Sequence, residues 1–188
     1  MTLTATIRSA LMSLAVVLAG PASAFYFKGD TTGSPTFDRS VADFSGMPAI
    51  GEDVAYDVFA FTVTADGVYK FGSLVSGYLQ DSPAWDQYLF LYSGSFDPTA
   101  PMLNGVAGND DFPDIGRSGF QTSLTAGTSY FLVTTGYEAD DFGGYLNWIH
   151  GGTVVPGIPE SSTYAMLALG LMGVAVAVRQ RRGVDTLH

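Results

Sequence analysis

The chain has 188 residues, 18 of them acidic and 8 basic, and contains no cysteine. Disulfides, thiolate metal sites and cysteine nucleophiles are thereby excluded. Between Phe25 and Gly157 only Lys28, Arg39, Lys70 and Arg117 are basic against sixteen acidic residues, a net charge of −12, so nucleic acid, which needs a basic surface, is not an expected partner.

Met1–Ala24 reads as a secretory signal peptide. Arg8 precedes an apolar stretch, Ala10–Leu18, and Gly20-Pro21 then breaks any helix. Ala22-Ser23-Ala24 supplies the small residues at alternate positions that signal peptidase requires, with cleavage expected after Ala24. An exported chain without cysteine must be stabilised by its core, and 13 phenylalanines and 10 tyrosines provide the material for one.

The body of the chain, 25–150, has strand grammar throughout and no sustained helical period. Phe25–Lys28 is a short first strand, and Thr36–Phe44 a weak second one in which Phe37, Arg39 and Val41 share a face. Val54–Thr64 alternates Phe59, Phe61 and Val63 against Val58, Ala60 and Thr62. Ala65-Asp66-Gly67 is a turn signal, and Val68–Leu74 returns with Tyr69 and Phe71 on one side, so a hairpin is expected here. Trp85–Tyr92 is apolar on both faces, the mark of a strand covered on both sides. Met102–Ala107, Gly119–Leu124, Ser129–Thr135 and Tyr145–His150 complete the set, with an acidic loop at Tyr137–Gly144. Many short strands separated by turn residues predict an all-β fold, an antiparallel β-sandwich of the jelly-roll kind, with 151–157 as a Gly/Pro linker after it.

The tail, 158–188, has three parts in order. Pro159-Glu160 comes first, then an uncharged run from Tyr164 to Val178, then Arg179, Arg181 and Arg182. The run, extended to Thr163, predicts a transmembrane helix over 163–178 with its arginines on the cytoplasmic face. Fifteen residues at 1.5 Å rise reach only about 23 Å against a hydrocarbon core of roughly 30 Å, so the anchor is short.

This order of features resembles the PEP-CTERM sorting signal of exopolysaccharide-producing Gram-negative bacteria. The resemblance implies recognition at Pro159 and Glu160 by exosortase, a membrane cysteine transpeptidase, with Ser161 standing where the family has a second proline. It also implies passage through the inner membrane to the cell surface or extracellular matrix, in company with exopolysaccharide or biofilm.

A second resemblance lies in the body. Asp57-Val-Phe-Ala-Phe-Thr-Val, Asp66-Gly-Val-Tyr-Lys-Phe, Asp86-Gln-Tyr-Leu-Phe-Leu-Tyr, Asn109-Asp-Asp and Leu124-Thr-Ala-Gly-Thr-Ser-Tyr-Phe-Leu-Val follow in that order. Together they resemble the bacterial pre-peptidase C-terminal (PPC) type of β-sandwich. That implies an accessory module for adhesion or carbohydrate contact, here without a catalytic domain beside it.

Carboxylates are the main candidate chemistry. Asp86 at a strand start and Asn109, Asp110, Asp111 and Asp114 in one loop offer the oxygen ligands that calcium takes, with Glu138, Asp140 and Asp141 in a second loop. The spacing is not that of an EF-hand, and the same residues also serve to solubilise loops or to shape turns. His150 is the single histidine before the tail and no GxSxG elbow occurs, so no nucleophile–base set can be assembled and no enzyme is expected. Among the aromatics Trp85, Tyr88, Tyr92, Tyr137 and Trp148, most are expected in the core, and Tyr137 is the candidate for stacking on a sugar ring. The reading is an exported structural or adhesive sandwich, with a calcium-dependent carbohydrate-binding module as the alternative.

Overall fold

The computed structural model describes residues 23–76 and 84–157. Ala22, the tail residues Pro159, Glu160, Arg179, Arg181 and Arg182, and the expected helix 163–178 lie outside the described residues. Among the described residues there are ten strands: β1 Ser23–Asp30, β2 Thr36–Phe37, β3 Val54–Val63, β4 Gly67–Val75, β5 Gln87–Ser93, β6 Gly105–Asn109, β7 Arg117–Leu124, β8 Tyr130–Gly136, β9 Gly144–Gly151 and β10 Val154–Pro156. They form two wholly antiparallel sheets, a four-stranded one in the order β1-β9-β4-β7 and a six-stranded one in the order β10-β3-β8-β5-β6, with β2 on the same edge of β3 as β10.

The sheets pack face to face as a β-sandwich. Each strand alternates sides with period two, so one set of side chains per strand faces the other sheet. Phe61, Val63, Leu89, Leu91, Tyr130 and Leu132 from the six-stranded sheet meet Tyr69, Phe71, Leu124 and Ile149 from the four-stranded one, all buried. At one end this interface turns polar. The Ser73 hydroxyl donates to Gln87 Oε1 (2.7 Å), Gln87 Nε2 donates to the Gly116 carbonyl (3.0 Å), and Asn147 Nδ2 donates to Thr134 Oγ1 (2.8 Å).

A second cluster lies behind the six-stranded sheet. Tyr88, Phe90 and Tyr92, the outward set of β5, pack with Phe37, Val54 and Val133 under Ala42, Phe44 and Phe96. The segment after β2 thus covers the sheet, and β5 is buried on both faces between β8 and β6, as its two apolar faces predict.

Three expectations are corrected. The Val54–Thr64 and Val68–Leu74 strands are not a hairpin, because β3 pairs with β8 and β4 with β7 and β9. Ala65-Asp66 carries the chain from one sheet to the other, and Asp66 Oδ1 accepts from Ala126 N (2.7 Å) in the neighbouring crossover. Crossing lets Phe61 and Val63 face Tyr69 and Phe71 across the core, where a hairpin would set them side by side. Thr36–Phe44 keeps only its first two residues as strand, since the rest forms the cover over β5. Finally, 151–157 is not a linker: Gly151 ends β9, and Val154–Pro156 is the edge strand β10, with Val154 in the main core.

Candidate calcium site

The antiparallel β5–β6 pair sets Leu89 opposite Asn109, so the residues just before β5 lie beside those just after β6. This brings Asp86, Asp110 and Asp111 together, one oxygen of each within 4.8 Å of the others. Asp86 and Asp110 are half-buried, and Asp111 is exposed. Asp86 Oδ1 and Asp110 Oδ1 are buried from solvent and have no hydrogen-bond partner. A buried acceptor without a donor is costly, and a cation is one of the few ligands that satisfies two such oxygens at once.

The surroundings are arranged around these groups. Asp141, from the β8–β9 loop, accepts from Asp86 N through Oδ1 (2.8 Å) and from Glu138 N through Oδ2 (3.0 Å), tying that loop to the start of β5. The Tyr137 amide also donates to the Asp86 carbonyl (2.9 Å). Arg39 is 2% exposed, and its guanidinium lies 4.4 Å from the centre of the Tyr88 ring and 4.8 Å from that of Tyr137. It donates through Nε (3.1 Å) and Nη2 (2.9 Å) to the Tyr137 carbonyl, and through Nη1 to the Ser40 carbonyl (3.2 Å).

Electrostatics agree with the geometry. Burial pushes the Asp86 carboxyl up to about 7, with the charges of Asp110, Asp111 and Asp141 adding to the rise and Arg39 opposing it. Burial, then Asp111, raises Asp110 to about 6, again against Arg39. Concentrated negative charge of this kind favours either a proton or a metal ion. Three carboxylates supply part of the six to eight oxygens that calcium takes, with loop carbonyls or water completing the shell.

The other expected site residues are placed elsewhere. Asn109 is a structural acceptor, its Oδ1 taking the Gly119 amide (2.9 Å) and its carbonyl the Ser118 hydroxyl (2.5 Å). Asp114 faces Arg117 (3.9 Å) and stands apart from the three-carboxylate group. Tyr137 is half-buried with its ring against Arg39, so one face is already occupied. Trp85, Tyr88 and Tyr92 are buried, as expected, but Trp148 is on the outer face of the four-stranded sheet. Arg39, missed as part of the site, had a sequence signal: a lone cation in an otherwise acidic and apolar segment.

Fold and site together define an all-β, two-sheet sandwich with a carboxylate cluster at the end where the β5–β6 pair opens. No family model matches the chain, and no curated protein matches it. Among solved structures, the one titled CBM35 from Cellvibrio japonicus Abf62 is similar with 13% sequence identity and a TM-score of 0.41, over 73% of this chain and 100% of that one.

Proposed function

We propose that this is an exported, non-enzymatic β-sandwich of the cell envelope or extracellular matrix that contacts exopolysaccharide, with Asp86, Asp110 and Asp111 holding a calcium ion. The observation that carries the metal is the convergence of one oxygen each from Asp86, Asp110 and Asp111 within 4.8 Å, in a group where Asp86 Oδ1 and Asp110 Oδ1 are buried and unpartnered. When bound, calcium neutralises the mutual repulsion of these carboxylates and links the start of β5 to the segment after β6. Asp141 positions the arrangement from the β8–β9 loop.

The quoted PPC-like segments support the module reading, since Asp57–Val63 falls on β3, Gly67–Phe71 on β4, Gln87–Tyr92 on β5 and Tyr130–Val133 on β8. The non-catalytic reading rests on the sequence, in which no nucleophile–base set can be assembled; among the described residues the His150 ring nitrogen lies 3.5 Å from the Tyr26 hydroxyl. Export and sorting rest on the signal-peptide pattern and on the ordered features at Pro159, Glu160 and the three arginines. Signal peptidase and exosortase are then the processing partners, and the membrane holds the chain only until the tail is removed.

Calcium titration of the full-length chain, followed by calorimetry and melting, tests the metal. Saturable binding that disappears in Asp86→Asn and Asp110→Asn is the expected result, and absence of binding at millimolar calcium would sink it. Intact mass of protein from the native host tests sorting. A chain running from Phe25 to the neighbourhood of Pro159 supports both cleavages, whereas one ending at His188 makes the tail a permanent anchor.

A further inference from the structure

The outer face of the four-stranded sheet, opposite the core, has a composition unlike the rest of the chain. Its strands hold three of the four basic residues found between Phe25 and Gly157, namely Lys28, Lys70 and Arg117, and a single carboxylate, Asp30, of the sixteen. The fourth cation, Arg39, is buried at the carboxylate cluster. In an antiparallel sheet, directly opposed residues share a face, so the register arranges this surface in rows. One row is Tyr26, Trp148, Gly72 and Gly119. The next row on one side is His150, Lys70 and Gln121, and on the other Lys28, Leu146, Leu74 and Arg117. Alternate residues along a strand lie roughly 7 Å apart, so an aromatic row is flanked by cations at that spacing on both sides.

The middle row is a groove. Gly72 and Gly119 floor it, a Cβ at Gly72 would fall inside the Trp148 indole, and the Phe112 ring passes 3.5 Å from where a Cβ on Gly119 would stand. Trp148 and Phe112 therefore wall a cavity of about 550 Å³ rimmed by Lys70 and Gln121. Phe112 is 64% exposed and Tyr26 57%, an unusual expenditure of aromatic surface on solvent. Arg117 is engaged with Asp114 at the margin, and Asp30 accepts from the Thr32 amide (2.9 Å) at the far end of β1. Neither carboxylate lies in the row of Lys70.

We infer that this groove binds an anionic polysaccharide, a sugar ring stacking on Trp148 and Phe112 while its carboxylate is met by Lys70, with Lys28 on the neighbouring row taking a further negative charge. The C–H face of a pyranose is apolar and fits an aromatic wall, and its hydroxyls find the amide of Gln121. Charge complementarity selects the anionic class, because a body of net charge −12 between Phe25 and Gly157 presents Lys70 at the rim of this groove and Lys28 on the same face, with no carboxylate in either the Trp148 or the Lys70 row. The inference rests on the exopolysaccharide reading above and adds to it the surface and the chemistry of the ligand.

The test is calorimetry of the full-length chain, in millimolar calcium and about 0.1 M salt, where charges beyond roughly 10 Å are screened. The probes are trigalacturonate and its methyl ester, which keeps the rings and removes the charge. At least tenfold tighter binding of the charged form is expected. Trp148→Ala and the exposed Lys70→Glu should each weaken it tenfold or more, with Val58→Thr on the other sheet as an unchanged control. Equal binding of the ester, or no binding of either, overturns the inference. So does binding that survives both variants and is lost in Asp86→Asn, which moves the ligand to the carboxylate loops and leaves the exopolysaccharide reading standing. A panel of neutral and acidic polysaccharides that all fail to bind removes that reading as well. A concentration-dependent dimer abolished by Trp148→Ala would also overturn it, assigning the groove to a second copy of the chain.

Discussion

Trp148 lies on Gly72. The two are register partners on β9 and β4, and the indole occupies the space that any Cβ at position 72 would need. Glycine inside a strand weakens it, so its presence here marks a close approach that the surface uses. Gly72→Ala should displace the indole into solvent. The strain is relieved because the displaced atoms are at the far end of a surface side chain, and alanine recovers some strand stability. The net change is therefore expected to be no more than about 1 kcal/mol. The larger signature is a red-shifted Trp148 emission, read in a Trp85→Phe background, together with loss of trigalacturonate binding. In a Trp148→Ala background the same substitution should be neutral or stabilising.

Asp86 and Asp110 make stability depend on pH in a stated direction. Both carboxyls are raised in the folded state, to about 7 and about 6, so the unfolded chain loses their protons first as pH rises. Folding then carries a cost that is absent below the ordinary carboxylate value, grows from about pH 4 and is complete above about pH 7. Calcium-free protein should melt at progressively lower temperature over that window, and Asp86→Asn should flatten the slope. Calcium should raise the melting temperature at pH 7.5 and do little at pH 5, where protons hold the same oxygens. A flat profile in the calcium-free protein would contradict the burial of these groups.

Arg39 is held by two aromatic faces and two carbonyls rather than by a hydrogen-bonded carboxylate. Arg39→Ala removes three donors from buried surroundings, empties the slot between Tyr88 and Tyr137, and leaves the carboxylates without their counter-charge. A loss of about 2–4 kcal/mol is expected by urea unfolding. Arg39→Lys should recover less than half of it, since an ammonium cannot donate from Nε and Nη2 to one carbonyl while lying flat on a ring.

Gln87 links the sheets at their polar end. Gln87→Leu strands the Ser73 hydroxyl in the core, whereas the Gly116 carbonyl keeps the Val75 amide (3.1 Å), and the change should cost about 1–3 kcal/mol. Adding Ser73→Ala removes the stranded group and should return about 1 kcal/mol, a non-additivity that a double-mutant cycle measures. Additive losses would mean that the two side chains are not coupled.

Strand positions were legible in the residues themselves. Side-chain alternation is a local property of extended backbone, so Phe59-x-Phe61-x-Val63 and Tyr69-x-Phe71 declare strands with one apolar face wherever they end up. The double-sided apolar pattern of β5 declared a strand covered twice, and of the candidate site's carboxylates Asp110 and Asp111 were legible in one acidic loop and Asp86 at a strand start. Which strands pair was not legible. The Asp66-Gly67 turn signal is compatible with a hairpin or a crossover, and burial of Phe61 and Phe71 against each other across two sheets decided for the crossover. Asn109 and Asp114 looked equivalent to Asp110 and Asp111 by position, yet the end of β6 turned Asn109 into a backbone clamp. Lys28, Lys70 and Arg117 are scattered along the chain with nothing to relate them. Sheet order and register alone set them around Trp148, because strand pairing is determined by burial and ladder hydrogen bonds between distant segments, and no local pattern encodes it.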